Sequence, residues 1–196
     1  MKQNVIVKPF GPCLVEMFVE EDQIVRIKEF CQKNKDLNVA EKLAGHLNHE
    51  YLIDKTKLQK IIISQVKLYQ QVLNTYYGFD KNKNLIVKDA WVNYMQKGDF
   101  NPLHQHNECD FSGVLYLDVP EEIEKEASDS VASGVKPGQI EFMTGPRVPN
   151  QITSYFVTPK NGLLYIFPSN LLHMVCPFKS NVERVSVAFN LIWSNE

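Results

Sequence analysis

No stretch of this chain approaches the roughly 20 consecutive apolar residues that a bilayer-spanning helix needs. The opening residues, MKQNVIVKPFGPC, lack the long apolar core of a secretory leader, so the expectation is a cytoplasmic protein. Charge of one sign is lacking too. Lys and Arg number 21 against 23 Asp and Glu, a formal net charge of −2, and long-range electrostatics give no ground for nucleic acid or an anionic membrane as the main partner. Cysteine is sparse: Cys13, Cys31, Cys109 and Cys176 form no CxxC pair, which reads as reduced thiols rather than a disulfide framework. Only Cys109 stands beside candidate chemistry, and no dedicated base marks it as a nucleophile. No internal repeat is visible.

What remains is a chain of 196 residues, 44% hydrophobic, long enough for one substantial domain with its own core. Its pattern changes near residue 85. Over residues 1–84, Ile24, Ile27, Phe30 and Cys31, then Ile62, Val66, Tyr69, Leu73 and Tyr76, recur at threes and fours, which predicts helices with packing faces. Asp54 is placed to cap the second helix and Gly78 to end it. Over residues 85–196 the period becomes two, in the runs LIVKDAWVNYM, FSGVLYLDV, IEFM, ITSYFV, GLLYIFP, LHMVCPF and RVSVAFNLIW. Many short strands broken by Gly, Pro and Asn predict a sandwich or barrel rather than βαβ units. Residues 120–138, acidic and then small and polar, read as a mobile loop or lid.

The chemistry concentrates in LHQHNECD. His104 and His106 are two of only five histidines. In an extended segment their side chains leave the same face about 7 Å apart, close enough for both imidazoles to meet one ion. His173, in LLHMV, is the candidate third ligand, and three such groups on one side of an ion leave the other side open for reactants. Glu108 and Asp110 are alternatives to His106 if the chain turns back at Asn107; fully extended, they lie about 13 and 20 Å from His104. His46 and His49 have no third group nearby and read as surface or capping residues. In ERVSVAFN, alternation puts Arg184, Ser186, Ala188 and Asn190 on one face. A guanidinium on the inward face of a barrel strand needs an anion, and its planar fork suits a carboxylate. The structural alternative is a salt bridge at the sheet edge, to Glu183 for example.

These residues resemble the iron(II) and 2-oxoglutarate dependent oxygenases of the prolyl hydroxylase-like branch. The matching pieces are YMQKGDFNPLHQH, GVLYL, LHMV and RVS, within residues 85 to 195. The pattern is still more similar to a branch common in marine bacteria and their phages, with W-x-N-x-x-x-x-G (Trp91, Asn93 and Gly98 here), H-x-H, SGVLYL, IFPS-x-L-x-H and R-x-S-x-x-FN. The resemblance implies a mainly β fold, a double-stranded β-helix (jelly-roll or cupin-like) core flanked by N-terminal helices. It implies an Fe(II) site using His104 and His173, and Arg184 as anchor for the remote carboxylate of 2-oxoglutarate. Ser186 adds a hydroxyl beside Arg184, Tyr116 and Tyr94 match cosubstrate-facing tyrosines, and Asn93 or Asn190 would hydrogen-bond near the metal.

His106 departs from most of the family, which carries an acid there, and a third imidazole leaves the centre more positive. The implied reaction is oxidative decarboxylation of 2-oxoglutarate by O2, coupled to hydroxylation of a peptide prolyl group or a small amino-acid-like molecule. Residues 121–136 and 145–151 are the expected lid and substrate wall, with Arg147 as a candidate contact to an anionic substrate. Two other classes stay open: a three-histidine cupin-type dioxygenase that does not use 2-oxoglutarate, and a non-catalytic metal-binding jelly-roll module. Oligomeric state leaves no mark in the sequence, a homodimer included.

Overall fold

In the computed structural model, residues 5–7, 11, 13–33, 35, 37–78, 83–131, 133–146, 149–150 and 152–194 are described; Arg147 lies outside them. Two short strands, β1 (Val5–Val7) and β2 (Leu14–Phe18), precede the first helix, α1 (Glu21–Lys33). Acidic Glu21 and Asp22 in the first turn of α1 and Lys33 in the last complement the helix dipole, and Ile24, Ile27 and Cys31 make the buried stripe. Strand β3 (Glu50–Leu52) leads to α2 (Lys55–Ile61) and α3 (Ile63–Tyr77). Asp54 accepts from the backbone N–H groups of Thr56 and Lys57 at 3.0 and 3.1 Å, a side-chain cap worth about 1 kcal/mol. The helical stripe ends at Gly78, whose φ of +67° is the left-handed conformation that only glycine adopts cheaply.

The remaining strands are β4 (Asn84–Met95), β5 (Asn101–His104), β6 (Phe111–Asp118), β7 (Ile140–Met143), β8 (Ser154–Val157), β9 (Leu163–Pro168), β10 (Leu172–Val175) and β11 (Arg184–Ser194). They build a seven-stranded sheet in the order β1-β2-β9-β6-β11-β4-β3 and a four-stranded sheet in the order β5-β10-β7-β8, with antiparallel pairing throughout. Mainly β with N-terminal helices, this is the jelly-roll type that the family resemblance implies.

Each long central strand of the larger sheet separates two environments. On β11, Val187, Phe189 and Leu191 are fully buried in the cluster that α1, α2 and α3 cover, while Arg184, Ser186 and Ala188 face a cavity. A second cluster, including Leu14, Tyr116, Ile140, Phe142, Tyr165 and Phe167, joins residues of the two sheets. The site therefore sits on the opposite face of the large sheet from the helices.

Two details differ from the expectations. The region before residue 85, read as mostly helical, carries α1, α2 and α3 but also gives strands to the large sheet, β2 beside β9 and β3 at the other end beside β4. The acidic segment after Pro120 forms a helix, α4 (Glu121–Asp129), with Ile123 and Ala127 buried one turn apart. It is tied down by Glu126, whose carboxylate accepts from the backbone N–H groups of Lys179 and Ser180 and from the Ser180 hydroxyl.

Candidate metal centre

Antiparallel pairing of β5 with β10 brings His104 directly opposite His173, so residues sixty-nine positions apart in the chain become cross-strand neighbours. His106 follows β5, its backbone N–H donating to Ser169 O at 2.9 Å. The three imidazoles then converge. One nitrogen from each lies within 4.8 Å of the others, and the Nε2 atoms of His106 and His173 are 3.3 Å apart. Two nitrogens bonded at about 2.1 Å to one ion, at right angles, stand about 3 Å apart, so this spacing fits a shared metal.

The surroundings set each ring's protons. His104 Nδ1 lies 2.7 Å from Pro102 O and His173 Nδ1 2.9 Å from Leu171 O. A carbonyl can only accept, so both Nδ1 atoms carry the hydrogen and both Nε2 atoms present lone pairs. His106 hydrogen-bonds the Asn190 side chain, which also accepts from Ser112 Oγ at 3.1 Å. Trp91 stacks on His106, and Phe167 and Phe142 flank His173. Burial, and then the neighbouring His104, push His106 down to about 4; burial, His104 and His106 push His173 down to about 3. Burial also lowers His104. Neutral imidazoles at neutral pH are the form that binds a metal.

Neither carboxylate alternative joins this group. Glu108 sits at φ +60°, exposed, with its Oε2 3.6 Å from Lys88 Nζ and its carbonyl accepting from the same amine at 2.7 Å. Asp110 accepts from the backbone N–H of Trp193 at 2.9 Å. Both acids face partners on the neighbouring strands, away from the histidines.

A cavity of about 60 Å3 runs from the histidines to Arg184, walled by Asn93, Tyr116, Ser186 and Trp91 among others. Sheet register explains the wall: Asn93, Ser186 and Tyr116 are directly opposed across β4, β11 and β6, so the three side chains share the cavity face. Arg184 is 3% exposed. Its Nη1 donates to Gly138 O at 2.9 Å, Nη2 to Met95 Sδ at 2.7 Å, and the guanidinium lies 5.4 Å from the centre of the Tyr116 ring. Among the described residues no carboxylate pairs with it. Glu183 is exposed and accepts a hydrogen bond from Gln96. Arg184 Nε, the Tyr116 hydroxyl and Asn93 Oδ1 are buried without partners. Burial lowers the Arg184 guanidinium and raises the Tyr116 phenol. A buried cation beside an unpartnered hydroxyl is an arrangement that an anion completes.

Tyr94 is a correction. It follows Asn93 in β4, so its side chain takes the opposite face; it packs in the helix-covered cluster, against Tyr51 and beneath Lys35 Nζ. It does not line the cavity. Asn190 reaches the three-histidine group through its hydrogen bond to His106. His46 stacks on Phe100 at 4.5 Å and His49 lies 3.4 Å from the Tyr51 hydroxyl, away from the cluster. Met95 and Gly138, which hold the Arg184 guanidinium, carry no motif that would single them out. Glu50, buried in a neighbouring groove, also went unmarked, because a three-residue strand shows too little alternation to reveal its facing.

A sequence profile of the family described as "Putative 2OG-Fe(II) oxygenase" matches residues 89–190, a span that includes the three histidines and Arg184. The chain belongs to the 2OG-Fe(II) oxygenase family. Solved structures share the fold. A prolyl-4-hydroxylase from Pseudomonas putida is 16% identical, with 91% of each chain covered and a TM-score of 0.61. A Trichoplax adhaerens prolyl hydroxylase, in complex with a hypoxia inducible factor peptide fragment, is 15% identical, covering 93% of this chain and 83% of that one, at a TM-score of 0.59. HygX from Streptomyces hygroscopicus, with nickel, 2-oxoglutarate and hygromycin B bound, is 11% identical, covering 91% of this chain and 82% of that one, at 0.57. No curated protein matches this 2OG-Fe(II) oxygenase by sequence.

Proposed function

We propose that this family member is an Fe(II) and 2-oxoglutarate dependent dioxygenase that hydroxylates its substrate. His104, His106 and His173 would hold the iron through their Nε2 atoms, the H-x-H arrangement of the marine bacterial and phage branch. Arg184, Tyr116 and Ser186 would take the remote carboxylate of 2-oxoglutarate. One observation carries the reading: a single cavity has three neutral, converging imidazoles at one end and, at the other, a buried guanidinium that no carboxylate among the described residues pairs with. When bound, iron and 2-oxoglutarate supply oxidative decarboxylation by O2 to succinate and CO2, with the second oxygen atom inserted into a substrate C–H bond.

The chain's own residues position and shield. Pro102 O and Leu171 O fix two imidazole tautomers, and Asn190 and Trp91 set the plane of the third. Phe142 and Phe167 keep the His173 side dry. The guanidinium's remaining donors and the Tyr116 hydroxyl supply two-point recognition of a carboxylate. HygX, of the same fold, was solved with nickel and 2-oxoglutarate, which supports the reading by analogy of fold.

The test is succinate formation from 2-oxoglutarate with Fe(II) and O2, in wild type, His104→Ala, His173→Ala and Arg184→Ala. Succinate in the wild type and none in the three variants is the expected outcome. Turnover that ignores both 2-oxoglutarate and the loss of Arg184 favours a three-histidine cupin-type dioxygenase, and no oxygen consumption at all favours a non-catalytic module.

A further inference from the structure

A second groove, of about 440 Å3, opens beside the histidines; Trp91, Asn101, His104 and His106 line both it and the Arg184 cavity. In its wall stands Glu50, 1% exposed, with Oε2 buried and without a hydrogen-bond partner. Among the described residues no cation pairs with this carboxylate. Strand β3 directs it there: Glu50 is the cross-strand neighbour of Asn93, so the two side chains share a face, and Asn93 Oδ1 is likewise buried and unpartnered. A Cβ at Gly45 would stand 3.0 Å from Asn101 Oδ1 and 3.3 Å from Glu50 Oε2, so the amide oxygen and the carboxylate converge on one backbone segment. Asp89 adds a second acid to the lining, against one described cation, Lys42. At the rim, Leu37 and Leu52 are 57% and 38% exposed.

An isolated carboxylate taken out of water is expensive unless it is neutralised or paired. Burial, and then Asp99, push Glu50 up to about 7, as expected of an acid waiting for a partner. Lys42, the one described cation of the lining, makes no ion pair with Glu50, which leaves this carboxylate open to a donor from outside the described residues. We infer that the substrate taken beside the histidines carries a positively charged nitrogen, an ammonium or guanidinium group, which Glu50 receives while an apolar portion lies along Trp91, Leu37 and Leu52. The word substrate rests on the oxygenase reading; the cation site itself rests on Glu50 and its groove.

Two matched pairs of probes test this by NMR titration of the full-length chain at about pH 8, where Glu50 is ionised. The pairs are N-acetyl-lysine methyl ester against its norleucine analogue, and N-acetyl-arginine methyl ester against its citrulline analogue. In the wild type at least one cationic ester binds roughly tenfold more tightly than its neutral partner, shifting the Trp91 indole N–H and the Gly45 and Asn101 amides. In Glu50→Gln that preference shrinks to about twofold or less. Independently of any variant, nuclear Overhauser contacts connect the probe's methylene next to the charged nitrogen with the Glu50 side chain. Equal binding within both pairs, a preference that survives Glu50→Gln, contacts only elsewhere, or no cation binding up to about 10 mM each overturns the inference. Succinate formation is measured on the same preparations. Cation preference without succinate leaves the Glu50 site standing and removes the oxygenase reading, whereas succinate without cation preference does the reverse.

Discussion

Replacing Arg184 with Met removes the charge that the cavity is built around while keeping an unbranched side chain that reaches into the same space. The ligand-free protein loses the hydrogen bond to Gly138 O, about 1–3 kcal/mol if that carbonyl stays unsatisfied. Against this stands relief from burying a cation with no anion, worth several kcal/mol after relaxation. The two effects oppose each other, and the ligand-free stability should change by no more than about 2 kcal/mol in either direction. Binding behaves differently. At 100 times its dissociation constant, 2-oxoglutarate stabilises the wild type by about 2.7 kcal/mol, or ~5–10 °C in Tm for a chain of this length. Truncating one member of a desolvated charge pair costs about 2–5 kcal/mol. At the same 2-oxoglutarate concentration the variant should therefore gain less than about 1 kcal/mol, at most ~4 °C. Differential scanning calorimetry of both proteins, with saturating Zn(II) to prevent turnover and with or without 2-oxoglutarate, reads this directly. Equal 2-oxoglutarate shifts in the two proteins would refute the assignment of Arg184 as the carboxylate anchor.

Three further outcomes follow from the geometry. Tyr116→Phe should weaken 2-oxoglutarate binding about 10- to 150-fold, the loss of one hydrogen bond to a charged group. Tyr94→Phe should leave it within about twofold, because Tyr94 faces the helices; calorimetric titration decides, and equal losses in the two variants would contradict the facing argued from β4. With His106 and His173 held below the ordinary histidine value, the unfolded chain takes up protons first as pH falls. The metal-free protein should therefore lose stability from about pH 6.5 downward, by up to ~1.4 kcal/mol per pH unit per histidine. Urea denaturation along that range, in wild type and His173→Gln, should show a slope that flattens in the variant; a flat wild-type profile would contradict the burial argument. Gly113→Ala should cost about 1–3 kcal/mol in the same assay, since a Cβ there overlaps the Phe189 ring on the paired strand; an unchanged midpoint would show that the ring can move aside.

Much of this site was legible because alternation along one strand is a strong signal. Reading ERVSVAFN with a period of two put Arg184, Ser186 and Ala188 on one face, and the cavity lies on that face. The same rule, applied to β4, separates Asn93, which faces the cavity, from Tyr94, expected to face the cosubstrate, because consecutive strand residues do not share a face. His173 could be offered as a partner for His104, yet only the β5–β10 register puts the two side by side. That pairing is a long-range contact with no local signature. The acidic residues after Pro120 look like a solvated loop because Ile123 and Ala127 are too few to mark a stripe, whereas docking of Glu126 on the Lys179–Ser180 backbone holds the helix in place. Glu108 and Asp110 seemed within reach of the metal if the chain turned. It does turn, with Glu108 left-handed, but Lys88 and the Trp193 amide take the two carboxylates outward.

The most direct measurement is a crystal structure of the chain soaked with Fe(II) and 2-oxoglutarate without oxygen. The account predicts iron bonded to Nε2 of His104, His106 and His173, with a 2-oxoglutarate carboxylate against the Arg184 guanidinium and the Tyr116 hydroxyl. Iron bonded to Glu108 or Asp110 in place of His106, or 2-oxoglutarate lying away from Arg184, would contradict it.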